Sequence, residues 1–111
     1  MTGNEYQEAA MTTRTPETYD ESKLIIYPTL GLTGEAGEVS DKVKKVLRDN
    51  KGEFTAEAKR AIALELGDVQ WYCAALAKDL GYTLEEIWQM NLDKLADRKL
   101  RNQIHGNGDY R

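Results

Sequence analysis

Residues 62–80, IALELGDVQWYCAALAKDL, have the spacing of one long helix with a single apolar seam. Apolar side chains recur at alternating steps of four and three residues, the interval at which helical positions fall on one face. The seam consists of Ile62, Leu66, Val69, Cys73, Leu76 and Leu80. This pattern predicts a helix that buries the seam, with Cys73 as a small core residue.

A second stretch repeats this pattern thirty residues earlier in the chain. Its seam consists of Leu32, Ala36, Val39, Val43 and Val46. Beside each seam lies a carboxylate pair at i, i+3: Glu35 with Glu38, and Glu65 with Asp68. At about 100° per residue, both pairs have the same angular offset from their seams. If the two seams pack together, the four carboxylates converge across the helix interface.

Converging carboxylates in a partly buried cleft need a compensating cation, because their negative charges repel one another. Oxygen ligands without His or Cys favour Mg²⁺, or Mn²⁺ as a substitute, over Zn²⁺. The predicted metal ligands are therefore Glu35, Glu38, Glu65 and Asp68. The alternative interpretation is ordinary surface charge, and the neighbouring glycines Gly34, Gly37 and Gly67 could equally serve tight helix packing.

Four helices are predicted, over residues 4–12, from 22–28 to 48, from 55 to 79 and from 83 to 101. Thr55 is a candidate N-cap, Gly81 a helix stop, and Thr83 with Glu86 a capping box. Pro28 is expected in the first turn of its helix, where a missing N–H costs nothing. Residues 12–23 are predicted to form a loop. Residues 102–111, which include an exposed non-ligand His105, are predicted to be a mobile or partner-stabilised arm.

Composition limits the classes of protein to which the chain can belong. Its 111 residues fit one domain, residues 1–111, and its net charge of −4 argues against general nucleic-acid binding. No apolar run approaches the roughly 20 residues of a membrane span. A single cysteine suits a reducing, cytoplasmic location. We expect an all-α, mostly antiparallel four-helix bundle that is thin enough to gain from homo-oligomer formation.

The two acidic motifs resemble those of the MazG-like nucleotide pyrophosphohydrolases, whose signature is EExxE followed after a spacer by ExxD. Glu35 and Glu38 match the second and last acids of the first motif, while Gly34 replaces its first acid. Glu65 and Asp68 match the second motif. A later N-x-x-K-x-x-x-R element matches Asn91, Lys94 and Arg98, and residues 106–109 resemble the tail of short bacterial and phage-type members.

This resemblance implies a MazG-like bundle that assembles as a homodimer or homotetramer. It implies Mg²⁺-dependent cleavage of nucleoside triphosphates, with dNTPs favoured, into monophosphate and pyrophosphate in nucleotide-pool house-cleaning. Glu38 is the candidate general base. The candidate substrate-binding residues are Lys42, Lys45, Tyr72, Asn91, Lys94 and Arg98. Trp71 is interpreted instead as a core or interface residue.

Two readings from other classes compete with a pyrophosphohydrolase. A carboxylate-bridged di-iron bundle ranks low, because such sites use Glu-x-x-His pairs and the predicted helices contain no histidine. A non-enzymatic oligomerisation or adaptor module would use the same seams without chemistry. Within the enzyme class, nothing in the sequence favours a phosphoribosyl-ATP pyrophosphohydrolase, which has a related fold.

Overall fold

The computed structural model describes residues 1–101 and 106–109, apart from the side chain of residue 18. The described residues contain no strand, so the predicted all-α class is confirmed. The helices are α1 (Gly3–Met11), α2 (Pro16–Tyr19), α3 (Ile26–Asp49), α4 (Ala56–Asp79) and α5 (Leu84–Leu100), with a 3-10 turn at Glu21–Lys23. The four longer helices correspond to the four that the sequence predicts.

The centre of the fold is an antiparallel hairpin of α3 and α4, each 24 residues long. Residues 50–55 connect them through a turn in which Lys51 and Gly52 have positive φ. The short connection forces the helices to run side by side. An ion pair of 3.8 Å between Lys42 Nζ and Glu65 Oε1 marks the register of the pair.

Local chemistry sets the helix ends, as predicted. Thr55 Oγ1 accepts the backbone N–H of Ala58, and Thr83 and Glu86 form a reciprocal capping box. Gly81, at φ 85°, ends α4 in a Schellman motif, since Tyr82 N donates to Ala77 O. The capping box of Thr2 with Glu5 at the start of α1 was not predicted.

The predicted loop at residues 12–23 is wrong in part, because it contains α2 and the 3-10 turn. Pro16 begins α2 at its first position, where its fixed φ suits a helix. Pro28 is the third residue of α3 and is fully buried, which confirms its expected place in the first turn.

The buried core does not lie along the predicted seam of α4. It contains three alanines of α4 with residues of α1 and α5: Ala74, Ala75, Ala77, Ala10, Met11 and Leu84. Cys73 is half-buried and packs against this cluster, whereas Leu66 and Leu80 keep 50% and 49% of their surface exposed. The prediction of a fully buried seam is therefore wrong for this protomer. The cause is that α1 covers the alanine face, which sequence periodicity did not distinguish.

A buried ion pair ties the N-terminal segment to the end of α4. Arg14 donates two hydrogen bonds to Asp79, at 2.7 and 2.8 Å, and the two side chains are only 1% and 3% exposed. The Arg14 guanidinium also lies 4.9 Å from the ring centroid of Tyr19. Because this pair is bidentate and desolvated, it fixes the path of the chain between α1 and α3.

Asp79 also holds a strained residue at the start of α3. Ile25 has φ 68° and ψ −52°, a region that β-branched residues avoid, and its N–H donates to Asp79 Oδ2 at 2.9 Å. Burial alone would raise the pKa of Asp79, but hydrogen bonds from Arg14 and Ile25 lower it below its ordinary value. The ionised carboxylate is thus stabilised by the fold.

Replacing Arg14 with leucine should lower the free energy of unfolding by about 3–5 kcal/mol at neutral pH, because Asp79 is left as an unpaired buried charge. In the wild type, the contribution of Asp79 is present above its unfolded pKa and is lost as pH falls through its lowered folded pKa. The difference in free energy of unfolding between the wild type and Arg14→Leu should therefore become smaller at acidic pH. Urea unfolding at several pH values measures both effects.

Arg48→Leu is the matched control, because Arg48 pairs with Asp49 on the surface, where both side chains are more than half exposed. It should change stability little at any pH. Equal effects of the two substitutions at neutral pH would contradict a structural role for the buried pair.

Candidate active site

Three carboxylates from the α3–α4 hairpin meet at one point. Glu35, Glu65 and Asp68 each offer an oxygen, and these oxygens all lie within 4.8 Å of one another. Glu35 and Glu65 are half-buried and face each other across the helix contact, while Asp68 is exposed one turn along α4. The antiparallel arrangement brings these carboxylates together. The acids of α3 and of α4 have the same angular offset from the apolar seams of their helices, and in an antiparallel pair of helices such positions lie on the same side.

The electrostatics of the cluster are unfavourable without a cation. Partial burial raises the pKa of Glu35, and the negative charges of Asp68 and Glu65 raise it further. Three oxygen donors so close together are a suitable ligand set for a hard divalent ion. The cluster can therefore hold a metal, and a bound cation would remove the repulsion.

Glu38, the fourth predicted ligand, lies outside this group of three oxygens. It is exposed on α3, one turn after Glu35. The negative charge of Glu38 contributes to the raised pKa of Glu35. The pKa of Lys45 is raised mainly by its hydrogen bond to Asp41, and the charge of Glu38 adds to this effect. Glu38 is thus at the edge of the cluster, within electrostatic reach of it.

The two predicted cations of α3 differ in position. Lys42 Nζ lies 3.8 Å from Glu65 Oε1, next to the cluster and on the side of the hairpin turn. Lys45 Nζ binds Asp41 Oδ2 at 2.8 Å and is half exposed. Only Lys42 directly contacts one of the three clustered carboxylates.

A cleft of about 320 Å³ opens on the other side of the cluster. It is lined by Thr13, Glu35, Asp68, Trp71 and Tyr72. Tyr72, a candidate substrate-binding residue, therefore lies beside the carboxylates. Its pKa is raised by partial burial and by the negative charges of neighbouring groups that include Glu35 and Asp68.

The interpretation of Trp71 as a core or interface residue is incomplete. The indole packs against the buried core, but it also forms part of the cleft wall. Trp71 Nε1 donates to Thr13 Oγ1 at 2.8 Å and to Ala10 O at 3.2 Å. Sequence reasoning missed Thr13 altogether, since its partner lies 58 residues away and no periodicity links the two.

The sequence of this chain matches a known protein family. Residues 28–101 match the family model described as the MazG nucleotide pyrophosphohydrolase domain, which is about two-thirds of the chain and contains all four predicted metal ligands. The chain belongs to the MazG nucleotide pyrophosphohydrolase domain family. The resemblance inferred from the acidic motifs is thereby confirmed.

One relative of this MazG chain is the "Gene 37 protein" of Mycobacterium phage L5. The two are 49% identical over 92 residues, which cover 83% of this chain and 81% of the relative. The name of this relative states no activity. No solved structure matches the chain significantly.

The later motif of this MazG domain does not lie at the acidic cluster of the same protomer. Asn91 is exposed, and it lines a separate cleft with Lys94. Lys94 Nζ binds Asp109 Oδ1 at 3.0 Å. Arg98 is 5% exposed and donates to the carbonyls of Gly108 and Asp109.

These contacts also bear on the predicted C-terminal arm. Residues 106–109 lie against α5 through the contacts of Lys94 and Arg98, so this part of the arm is held by its own chain. His105 lies outside the described residues, as do residues 102–104 and 110–111. Lys94 pairs with the carboxylate of Asp109, and Arg98 donates to the backbone carbonyls of the arm, so two α5 cations hold this segment.

The glycines near the acids are not used for tight packing within the protomer. A methyl group at Gly34, Gly37 or Gly67 would meet nothing within 4 Å. Gly31 differs, because a methyl group there would overlap the ring of Tyr72. Gly31 is therefore required by a cleft residue, whereas Gly34, Gly37 and Gly67 face space that a ligand or another chain could fill.

Replacing Gly31 with alanine should destabilise the protein and displace Tyr72, whereas Gly34→Ala should stabilise α3 by about 1 kcal/mol. The two substitutions add the same group to the same helix one turn apart, so they differ only in what the methyl group meets. Chemical unfolding measures both changes. Stabilisation by Gly31→Ala would show that Tyr72 does not occupy the position described.

Proposed function

We propose that this MazG protein is a magnesium-dependent hydrolase that converts nucleoside triphosphates, preferentially dNTPs, into nucleoside monophosphates and pyrophosphate. The observation that carries the proposal is the meeting of Glu35, Glu65 and Asp68 in a chain of the MazG family. A triphosphate is strongly anionic and needs metal ions to approach an acidic cleft. House-cleaning of the nucleotide pool is the role we assign to this activity.

The donor set fits Mg²⁺, with Mn²⁺ as a substitute. Glu35, Glu65 and Asp68 would hold the ion, and Glu38 at the edge of the cluster would complete the predicted set. When bound, such an ion neutralises phosphate charge and lowers the pKa of coordinated water. We assign Glu38 as the general base, because an exposed carboxylate one turn from Glu35 is available to accept a proton from the attacking water.

The cations are assigned to the phosphates. Lys42 is the first candidate, since it already contacts Glu65. Lys45 would have to leave Asp41, which an exposed lysine can do at little cost. Asn91, Lys94 and Arg98 remain proposed substrate residues. Because they line a different part of the protomer, we assign them to the acidic cleft of a neighbouring protomer.

We propose a cytoplasmic location, which a nucleotide substrate and the single cysteine both favour. None of the helices in the described ranges combines the length and apolarity of a membrane span. We propose no nucleic-acid partner, given the net negative charge.

The wild-type protein should release pyrophosphate from at least one dNTP when Mg²⁺ is present, and chelation should stop the reaction. Asp68→Asn should lower kcat/KM on the order of 100-fold or more, because one charged group of the cluster is lost. A coupled pyrophosphate assay across dNTPs and NTPs measures this, with circular dichroism to verify helicity.

Glu57→Gln is the control for charge removal on the same helix, since Glu57 is exposed in the first turn of α4. It should retain wild-type activity. Absence of pyrophosphate release from every triphosphate, or full activity of Asp68→Asn, would overturn the proposed function or its site.

We also propose that the protein is a homodimer or homotetramer. The radius of gyration is 16.9 Å, against about 13 Å for a compact domain of this length. The accessible surface is 8067 Å², against roughly 6,200 Å² for a folded monomer of this mass. The extra surface includes the half-exposed seam at Leu66 and Leu80 and the apolar groove between Leu32, Cys73 and Trp88.

Light scattering should give a mass of two or four times 12.6 kDa. Leu66→Glu should shift the protein towards monomer, because it places a charge on the seam. Leu64→Glu is the matched control: Leu64 is 60% exposed on the same helix but points about 160° away. A monomeric wild type, or equal effects of both variants, would contradict assembly through the seam.

A further inference from the structure

We propose that Thr13 and Trp71 form the nucleoside-binding wall of the cleft and influence which base is accepted. The proposal rests on the proposed function, since it places the nucleoside of the substrate relative to the acidic cluster. Thr13 lies before the residues that match the MazG family model, so this wall is partly built by a segment that the family match does not include.

The first argument is the polarity of the site along the α3–α4 hairpin. On the side of the hairpin turn, the cluster is followed by the cation of Lys42. On the opposite side, the cleft is lined by Thr13, Trp71 and Tyr72 besides the acids, with no Lys or Arg among the lining residues that the structure describes. Phosphates favour the cationic side, and an aromatic base favours rings on which it can stack.

The second argument is that the wall is rigid. Trp71 Nε1 donates to Thr13 Oγ1 at 2.8 Å, and Thr13 Oγ1 in turn donates to Ala10 O at 2.7 Å. The rings of Trp71 and Tyr72 meet edge to face, with centroids 5.0 Å apart. Fixed rings lose little conformational freedom when a ligand binds, so such a wall can discriminate between bases.

The third argument is the anchoring of Thr13 by its neighbour. Arg14 binds Asp79 in the buried pair, and this holds the segment after α1 against the end of α4. Arg14 and Asp79 are therefore positioning residues for the wall. The cleft volume of about 320 Å³ is at the lower end of the range for small-molecule sites, roughly 300–1,000 Å³.

Fluorescence gives a direct test, because the chain has two tryptophans, Trp71 and Trp88. In Trp88→Phe, emission comes from Trp71 alone. We expect at least one of the four common deoxynucleoside monophosphates, with Mg²⁺, to change this emission saturably, and pyrophosphate to leave it unchanged. Trp71→Phe, which keeps only Trp88, should show no response. Emission is corrected for nucleotide absorbance.

A missing saturable response to every monophosphate in Trp88→Phe would overturn the proposal. This result is distinguishable from failure of the proposed function. Pyrophosphate release by the wild type without any Trp71 response rejects only the nucleoside wall. A Trp71 response without pyrophosphate release rejects the hydrolase and leaves the nucleoside site standing.

A matched pair of threonine variants tests specificity. Thr13→Val removes the hydroxyl that holds Trp71, and we expect the ratio of kcat/KM between dNTPs to change roughly 2- to 10-fold, mainly through KM. Thr13→Ser keeps a hydroxyl and should restore the wild-type ratio. Thr12→Val removes a similar hydrogen bond, Thr12 Oγ1 to Ala9 O, outside the cleft.

Thr12→Val should leave the ranking of dNTPs unchanged. If Thr13→Val and Thr12→Val both keep the wild-type ranking and KM values, Thr13 does not determine specificity and the proposal fails. A loss of stability common to both variants would lower activity towards all substrates alike, so it cannot imitate a changed ranking.

Discussion

The mutual repulsion of Glu35, Glu65 and Asp68 is the constraint on which the site depends. Three carboxylates within 4.8 Å of one another oppose the packing that brings them together. The hairpin overcomes this because α3 and α4 also pack through uncharged side chains: Gly31 lies against the ring of Tyr72, and Leu32 lines a groove with Cys73 and Leu76. Apolar packing thus holds negative charges in an arrangement that only a cation makes favourable.

Both flanks of the hairpin follow from a single geometric rule. Helix periodicity places the acids on one side of the α3–α4 contact and the apolar seams on the other. Antiparallel packing then brings the acidic flank of α3 to the acidic flank of α4, and the apolar flank of α3 to the apolar flank of α4. The acidic flank forms the cleft. The apolar flank stays half-exposed at Leu66 and Leu80, since α1 and α5 cover the alanine face instead. A site and an assembly surface can therefore arise from the same two helices without competing for the same positions.

The parts of this fold that were predictable depend on local sequence. Thr55, Gly81 and Thr83 set helix ends through contacts within a few residues, and periodicity was sufficient to bring Glu35 to Glu65 and Asp68. Contacts between residues far apart in the sequence correspond to no local motif or periodicity from which they could be predicted. Arg14 meets Asp79 over 65 residues, and Thr13 meets Trp71 over 58. Neither pair belongs to a repeating pattern, so only the folded chain shows them.

The same distinction explains why the sequence did not show where the later motif lies in the protomer. The spacing of Asn91, Lys94 and Arg98 correctly put them on one helix, but it says nothing about which neighbour that helix faces. Arg98 is buried and donates hydrogen bonds to the carbonyls of Gly108 and Asp109. Its guanidinium is therefore already bound to the arm and is not available to a substrate in this arrangement. Lys94 keeps more freedom, because its ion pair with Asp109 is partly exposed and exchangeable. Of the three, Asn91 and Lys94 are thus the residues that a second protomer could present to a triphosphate directly, whereas Arg98 would first have to release the carbonyls of Gly108 and Asp109.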